Sequence, residues 1–269
     1  MNCPYCHSPV KAGSKYCTEC GAPLESRSPQ PERNAQLAAD TGLLLGQAAR
    51  QARLEASYDR EEIIGERAYN GIILAVLLWG LLVNVLLCWY VGDVTRYLNP
   101  LVFLIGYLVC AFVGTMIAAK SRKPALSFLG YNLVVVPFGL MISTLVEAYG
   151  GVGSRLVYYA FLYTLLISLG MGAAAVSFPK LFEKLGGALL GCLAGLLLCE
   201  LVLLLFGVRQ YVSDWIAAGM FSLYIGFDIH RSQQFTRTVD NAVDCALDIY
   251  LDIANLFIRL LRIMGRRKN

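Results

Sequence analysis

The sequence predicts an all-α polytopic membrane protein: a seven-helix transmembrane bundle preceded by a small metal-organised module. Three observations carry this. Of 269 residues, 57% are hydrophobic and only 16% charged, where soluble domains carry about a quarter charged residues, and the mean hydropathy is +0.56. From residue 71 onward, seven apolar segments follow one another, each close to the roughly 20 residues that cross a bilayer core as a helix. Finally, four of the nine cysteines fall within the first twenty residues as two Cys-x-x-Cys pairs. The predicted domains are a metal module over 1–24, a linker and amphipathic helix over 25–67, and the transmembrane domain over 68–269. The net charge of +4 is not gathered into a basic stripe, so no nucleic-acid partner is expected.

Cys3, Cys6, Cys17 and Cys20 open the chain. Each pair forms a tight knuckle presenting two thiolates, and two knuckles close a tetrahedral shell of four. Gly21 follows the second pair and permits the sharp turn a knuckle needs. A module of this length cannot bury a useful core, so the metal supplies its folding energy. The stretch resembles the zinc ribbons of many bacterial proteins and predicts a structural Zn²⁺ with no open coordination position. Cys3 to His7 also fits the covalent haem pattern. That reading needs export and leaves Cys17 and Cys20 unexplained, while the N-terminus shows neither the basic start nor the apolar core of a signal peptide. Disulfides are disfavoured in the reducing compartment this implies. The other five cysteines, Cys88, Cys110, Cys192, Cys199 and Cys245, lie in apolar stretches and read as small buried hydrophobes.

Residues 25–34 form a polar linker by composition. The following Ala- and Leu-rich stretch, with mixed charges, is predicted to be a solvated connecting helix; the alternative is a helix lying on the membrane or on a partner.

The predicted spans are Gly71–Val91, Leu101–Ala119, Ala125–Val146 (kinked at Pro137), Leu156–Phe178, Leu185–Val208, Tyr211–Ile229 and Ala242–Met264. The loops after spans two, four and six carry Lys120, Arg122 and Lys123, then Lys180 and Lys184, then Arg231 and Arg237. The alternate loops hold Arg96, Arg155 and Arg209. The positive-inside pattern therefore puts the even loops and the N-terminus in the cytoplasm. Seven full crossings would leave Arg262, Arg266, Arg267 and Lys268 outside. Either the seventh segment stops short, or packing overrides the rule. In span five, Gly187, Gly191 and Gly195 form a doubled GxxxG, read as packing within the bundle in preference to a dimer interface.

Ionisable residues inside spans are expensive and commonly functional. On segment seven, Asp244, Asp248, Asp252, Asn255, Arg259 and Arg262 recur at steps of four and three, which is one helical face. Such a stripe must line a watery path or pair inside the bundle. Asp228 ends span six. If segment seven folds back beside it, Asp228 and Asp252 can meet, share a proton and sense pH. Their oxygens also suit a hard cation such as Ca²⁺. Glu200, deep in span five, either is protonated and inert or lines the same path. The bland alternative is that the stripe pairs with basic residues as packing glue. Asp240 and Asp244 are expected at the interface.

Residues 246–265 (ALDIYLDIANLFIRLLRIMG) resemble the C-terminal signature of the transmembrane Bax-inhibitor-motif family, and Phe-Asp-Ile-His at 227–230 stands at that family's end of span six. The resemblance implies a seven-helix bundle with the last helix central, in a bacterial plasma membrane. It also implies a pH-sensitive Ca²⁺ leak held closed by hydrogen bonding between two aspartates. By motif position these are Asp228 and Asp252, with Asp248, Glu200 and His230 as secondary candidates. Two departures stand out. Ile229-His230 replaces Thr-Gln; His230 is read as a polar loop residue in preference to a group added to titrate near neutral pH. Span two also lacks the arginine that serves the family as a latch.

Two other functions compete. An intramembrane aspartyl protease also places one aspartate on each of two spans, but Ile249-Tyr250-Leu251 precedes Asp252 with no helix-opening glycine and no Pro-Ala-Leu motif follows; the chain is not expected to be an enzyme. A non-conducting regulator would use the zinc ribbon to recruit a cytoplasmic protein.

Overall fold

The computed structural model describes residues 62–121, 123–206 and 211–266, together with Pro9. The chain divides into two units, residues 1–52 and 53–269. The four ribbon cysteines and the linker helix lie outside the described residues.

The described residues form seven α-helices and one short 3-10 turn. They are α1 (Glu66–Tyr90), the turn Val94–Arg96, α2 (Pro100–Lys120), α3 (Pro124–Ala148), α4 (Arg155–Ser177), α5 (Pro179–Leu205), α6 (Tyr211–Ser232) and α7 (Val239–Gly265). Each predicted apolar segment falls on one of them, although α5 begins six residues before the predicted Leu185 and the predicted end at Val208 lies outside the described residues. Prolines mark the starts: α2, α3 and α5 open on one, where the missing N–H costs nothing and φ is already helical. Asn99 accepts from the Leu101 N–H at 2.9 Å, and Thr238 caps α7 through the Asn241 N–H at 3.2 Å. α3 runs through Pro137 as one helix. Between α1 and α2, Gly92 takes φ of 63°. Asp93 then accepts from the backbone N–H and the hydroxyl of Thr95 at 2.9 and 2.6 Å, which holds its carboxyl below the usual range.

α1, α2 (through Ala118), α3 and α4 are each long and apolar enough to cross a membrane. α5 qualifies as a fifth if its two halves, bent by 52° at Gly187, count as one span. α6 and α7, whose apolar residues are interrupted by charged and polar ones, do not qualify alone. Their composition follows from their position. α1, α2 and α4 turn Trp89, Phe112 and Leu169 outward, each at least 60% exposed, while Asp214, Asp228, Asp240, Asp244, Asp252 and Arg259 are buried. This inversion is what lipid demands of a helical bundle.

α7 is the central helix. It packs against α1, α3, α4 and α6, whereas α2 lies broadly only on α3, and α5 chiefly on α6. α7 runs parallel to α3 over its full length: near their starts Ser127 donates to Asp240, and at their ends the Tyr149 ring sits against Gly265. Its 27 residues extend about 40 Å, more than the roughly 30 Å of a hydrocarbon core. α7 therefore accompanies the apolar α3 along its whole length.

Two expectations are corrected. Gly191 and Gly195 face open space and do not serve packing within the bundle. α5 buries Phe182, Leu189 and Leu196 instead, a stripe at seven-residue spacing. The close glycine approach occurs between α2 and α3, at Gly114 and Gly130. Nor are all five scattered cysteines buried: Cys245 is, but Cys192 and Cys199 are exposed on the outer face of α5.

Candidate functional site: a charged helix at the bundle centre

Apolar packing fixes where the charges of α7 sit. Tyr131, Phe138 and Tyr250 stack edge to face or tilted at centroid distances of 6.0 and 6.3 Å. Asn84 of α1 and Tyr250 exchange hydrogen bonds at 2.8 and 3.0 Å. The Tyr131 hydroxyl donates to the Val76 carbonyl at 2.9 Å, and that of Tyr69 to the Ser232 carbonyl at 3.0 Å. The contacts of Tyr250 lock the rotation of α7, so its polar stripe keeps a fixed direction.

The stripe changes sign along its length. Aspartates occupy the N-terminal half and arginines the C-terminal half, the order the helix dipole favours at each end. At the acidic end, Asp240 and Asp244, expected at the interface, are buried at 3% and 6% exposure. Neighbouring helices wrap the first turns of a central helix, and the Ser127 hydroxyl together with the helix N-terminus offsets the desolvation of Asp240.

Asp228 and Asp252 are both buried, at 6% and 8% exposure. α6 and α7 run antiparallel, with Asp214 against the arginines of the far end. Counting back along α6 from that contact at about 1.5 Å per residue, Asp228 falls near the level of Asp248, within a turn of Asp244 and of Asp252. Consistently, the Cys245 thiol lies in the field of Asp248, Asp244 and Asp228. Asp228 thus stands at the level of Asp244, Asp248 and Asp252 along α7, where the sequence offered one partner. Asp248 is half-buried. His230, at the end of α6, contacts the Gln234 amide through Nε2 at 3.1 Å. Among the described residues, no three His, Cys, Asp or Glu side chains converge closely enough to hold a metal ion, so the Ca²⁺-binding alternative finds no ready ligand set.

The basic end was only partly legible. Arg259 forms a two-pronged ion pair with Glu200 of α5: its Nη1 meets Oε1, and its Nη2 meets Oε2 at 2.9 Å. Nη1 also donates to Asp214 of α6 at 3.0 Å. Arg262 and Arg266 reach the same carboxylate at 3.4 and 2.9 Å. Glu200 is thus the partner of an arginine, and in this half the stripe does act as packing glue. Asp214, fully buried, joins the site from outside the polar stripe. The signal was present: an acid in the first turn of span six, at the end remote from the short α6–α7 loop, must stand opposite the last turns of an antiparallel α7, where the arginines are. For Glu200, the signal was its place four residues beyond Leu196 on the inward stripe of α5.

Comparison with known proteins agrees with this architecture. Residues 65–269 match the family model described as inhibitor of apoptosis-promoting Bax1, and residues 2–24 match a zinc-ribbon domain. An uncharacterised membrane protein of Streptococcus pyogenes serotype M1 is 33% identical over 168 residues, 59% of this chain and 71% of that protein. An uncharacterised protein of Borreliella burgdorferi is 23% identical over 238 residues, 80% of this chain and 99% of that protein. Bax inhibitor 1 of Saccharomyces cerevisiae is 28% identical over 189 residues, 66% of this chain and 52% of that protein. The helical bundle with its charged central helix, together with a family match running from residue 65 to residue 269, makes this chain a membrane protein of the Bax inhibitor family with a zinc-ribbon domain at its N-terminus.

Proposed function

We propose that the protein is a non-enzymatic cation leak pathway, passing Ca²⁺ along the polar face of α7 and gated by the protonation of Asp228 and Asp252. One observation carries the reading: a helix with aspartates through its first half is buried at the centre of the bundle and accompanies an apolar helix through its whole depth. Burying that many carboxylates is costly unless they share protons or meet cations. With a proton shared, Asp228 and Asp252 hold α6 and α7 together. Without it, two like charges push apart and become an attractive stop for a cation. Flux should therefore rise with pH.

The test is Ca²⁺ uptake into liposomes containing the full chain, across pH 5 to 9. Asp228→Asn and Asp252→Asn should each flatten the pH dependence. Unchanged profiles in both variants would refute the gate, and no flux at any pH would refute the pathway.

In this reading all seven helices cross a bacterial plasma membrane, and the N-terminus is cytoplasmic. Two of the basic residues that conflict with the positive-inside pattern, Arg262 and Arg266, are compatible with it, because they are tied to the buried Asp214 and share a cluster with the Arg259–Glu200 pair. Zn²⁺ held by Cys3, Cys6, Cys17 and Cys20 would fold the ribbon. The ribbon match ends at residue 24, outside the family match that starts at residue 65. That separation favours a second reading, in which the bundle is a non-conducting anchor and the ribbon recruits a cytoplasmic protein. Capture of one partner that depends on the four cysteines, combined with no flux, would select it.

A further inference from the structure

We propose that Arg259 is the closing residue at the far end of this path, and that α5 is the element whose departure opens it. The inference rests on the cation-path reading and adds a second constriction to it. Arg259 continues the stripe of Asp248, Asp252 and Asn255, so anything following that face beyond Asp252 meets its guanidinium about two turns further on. The residue is buried, at 8% exposure. It is clamped from two sides, by both oxygens of Glu200 on α5 and by Asp214 on α6. With its charge met by two carboxylates, the guanidinium leaves an arriving cation no free acceptor there, and the clamp blocks the space physically.

The two sides of the clamp are not equivalent. Asp214 is also held by Arg262 and Arg266, so it stays with α7. Glu200 belongs to the helix with the least support. α1, α3, α4 and α6 all pack broadly on α7; α5 lies chiefly on α6. It reaches the centre through the cluster containing Leu196 and Leu256 and through the Glu200–Arg259 pair. Its outer face is open at Gly191 and Gly195, and it is bent by 52° at Gly187. A swing of the segment beyond that bend withdraws Glu200 and frees the Arg259 side chain to leave the path.

The test uses the full chain in liposomes, with two readouts. Ca²⁺ flux is measured in wild type, Glu200→Gln and Arg259→Gln. The separation of α5 from the bundle is measured by double electron–electron resonance, with spin labels replacing the outward-facing Leu198 and Trp89 after the native cysteines of the bundle are substituted. Glu200→Gln should lengthen or broaden the Leu198–Trp89 distance, and both Gln variants should raise flux several-fold. An unchanged distance, or a flux that does not rise in either variant while wild type conducts, would overturn the proposal. If neither wild type nor variants conduct, the cation-path reading fails and the distance alone decides the clamp: a longer distance upholds it and an unchanged one refutes it. Should Glu200→Gln fail to fold, Glu200→Asp keeps the charge, shortens the side chain by one methylene and should give the same changes to a lesser degree.

Discussion

Replacing Gly114 by alanine is the sharpest test of how α2 is held. α2 lies broadly only on α3, and the two helices meet backbone to backbone. A methyl group on Gly114 would stand 2.8 Å from the Gly130 carbonyl oxygen and 2.8 Å from the Val134 Cγ2. One on Gly130 would stand 2.7 Å from the Gly114 oxygen and 2.9 Å from the Ala118 nitrogen. Carbon–oxygen contacts between close helices settle at about 3.3 Å or more, so either substitution forces the helices apart by roughly 0.5 Å. The obstructing atoms are mainly backbone and cannot rotate away. Overpacking of this kind costs about 1–3 kcal/mol, against which alanine returns up to about 1 kcal/mol of helix propensity. Gly114→Ala is therefore expected to destabilise by about 1–2 kcal/mol and to lower the melting temperature by roughly 3–6 °C. Gly106, two turns earlier on the same helix, has nothing within 4 Å of its would-be Cβ. Gly106→Ala should be neutral or stabilising by up to about 1 kcal/mol. The assay is thermal unfolding of the full chain in detergent, followed by circular dichroism. If the two substitutions behave alike, or if Gly114→Ala melts above wild type, the close crossing does not hold α2 in place.

Two further outcomes follow from the buried polar contacts and the ribbon. Tyr250→Phe leaves the buried Asn84 amide without the hydroxyl that both donates to it and accepts from it; denaturant titration should show a loss of about 1–3 kcal/mol. The Asn84→Leu, Tyr250→Phe double variant should lose less than the sum of the single losses; strict additivity would show that the pair is not coupled. The purified chain should carry zinc through Cys3, Cys6, Cys17 and Cys20, measured by mass spectrometry of metal content. Cys17→Ser should reduce that content sharply while the bundle's melting temperature holds, and an unaltered zinc content would discard the four-thiolate assignment.

The sequence by itself determined the helices of the bundle and most of their ends, the start of α5 at Pro179 excepted. Apolar length, prolines at helix starts and turn glycines are local properties, and local properties are legible one segment at a time. It also determined that one face of the last helix is ionisable, because that depends only on a repeat of three and four residues. The Cys-x-x-Cys spacing named the ribbon for the same reason. What the sequence could not order was contact between elements. A doubled GxxxG permits a close approach without requiring one, and the helices used a single pair of glycines on α2 and α3 instead. Glu200 read equally well as an inert acid or a pathway acid until the fold set an arginine against it. Asp214 drew no attention because its partners lie more than forty residues away on another helix. Which carboxylate faces which neighbour depends on the rotation of α7, and aromatic and hydrogen-bonded contacts from α1 and α3 fix that rotation. Hydropathy sets how deep a helix sits, but only tertiary packing sets which way it faces, and the charge pairing of this protein follows from the facing.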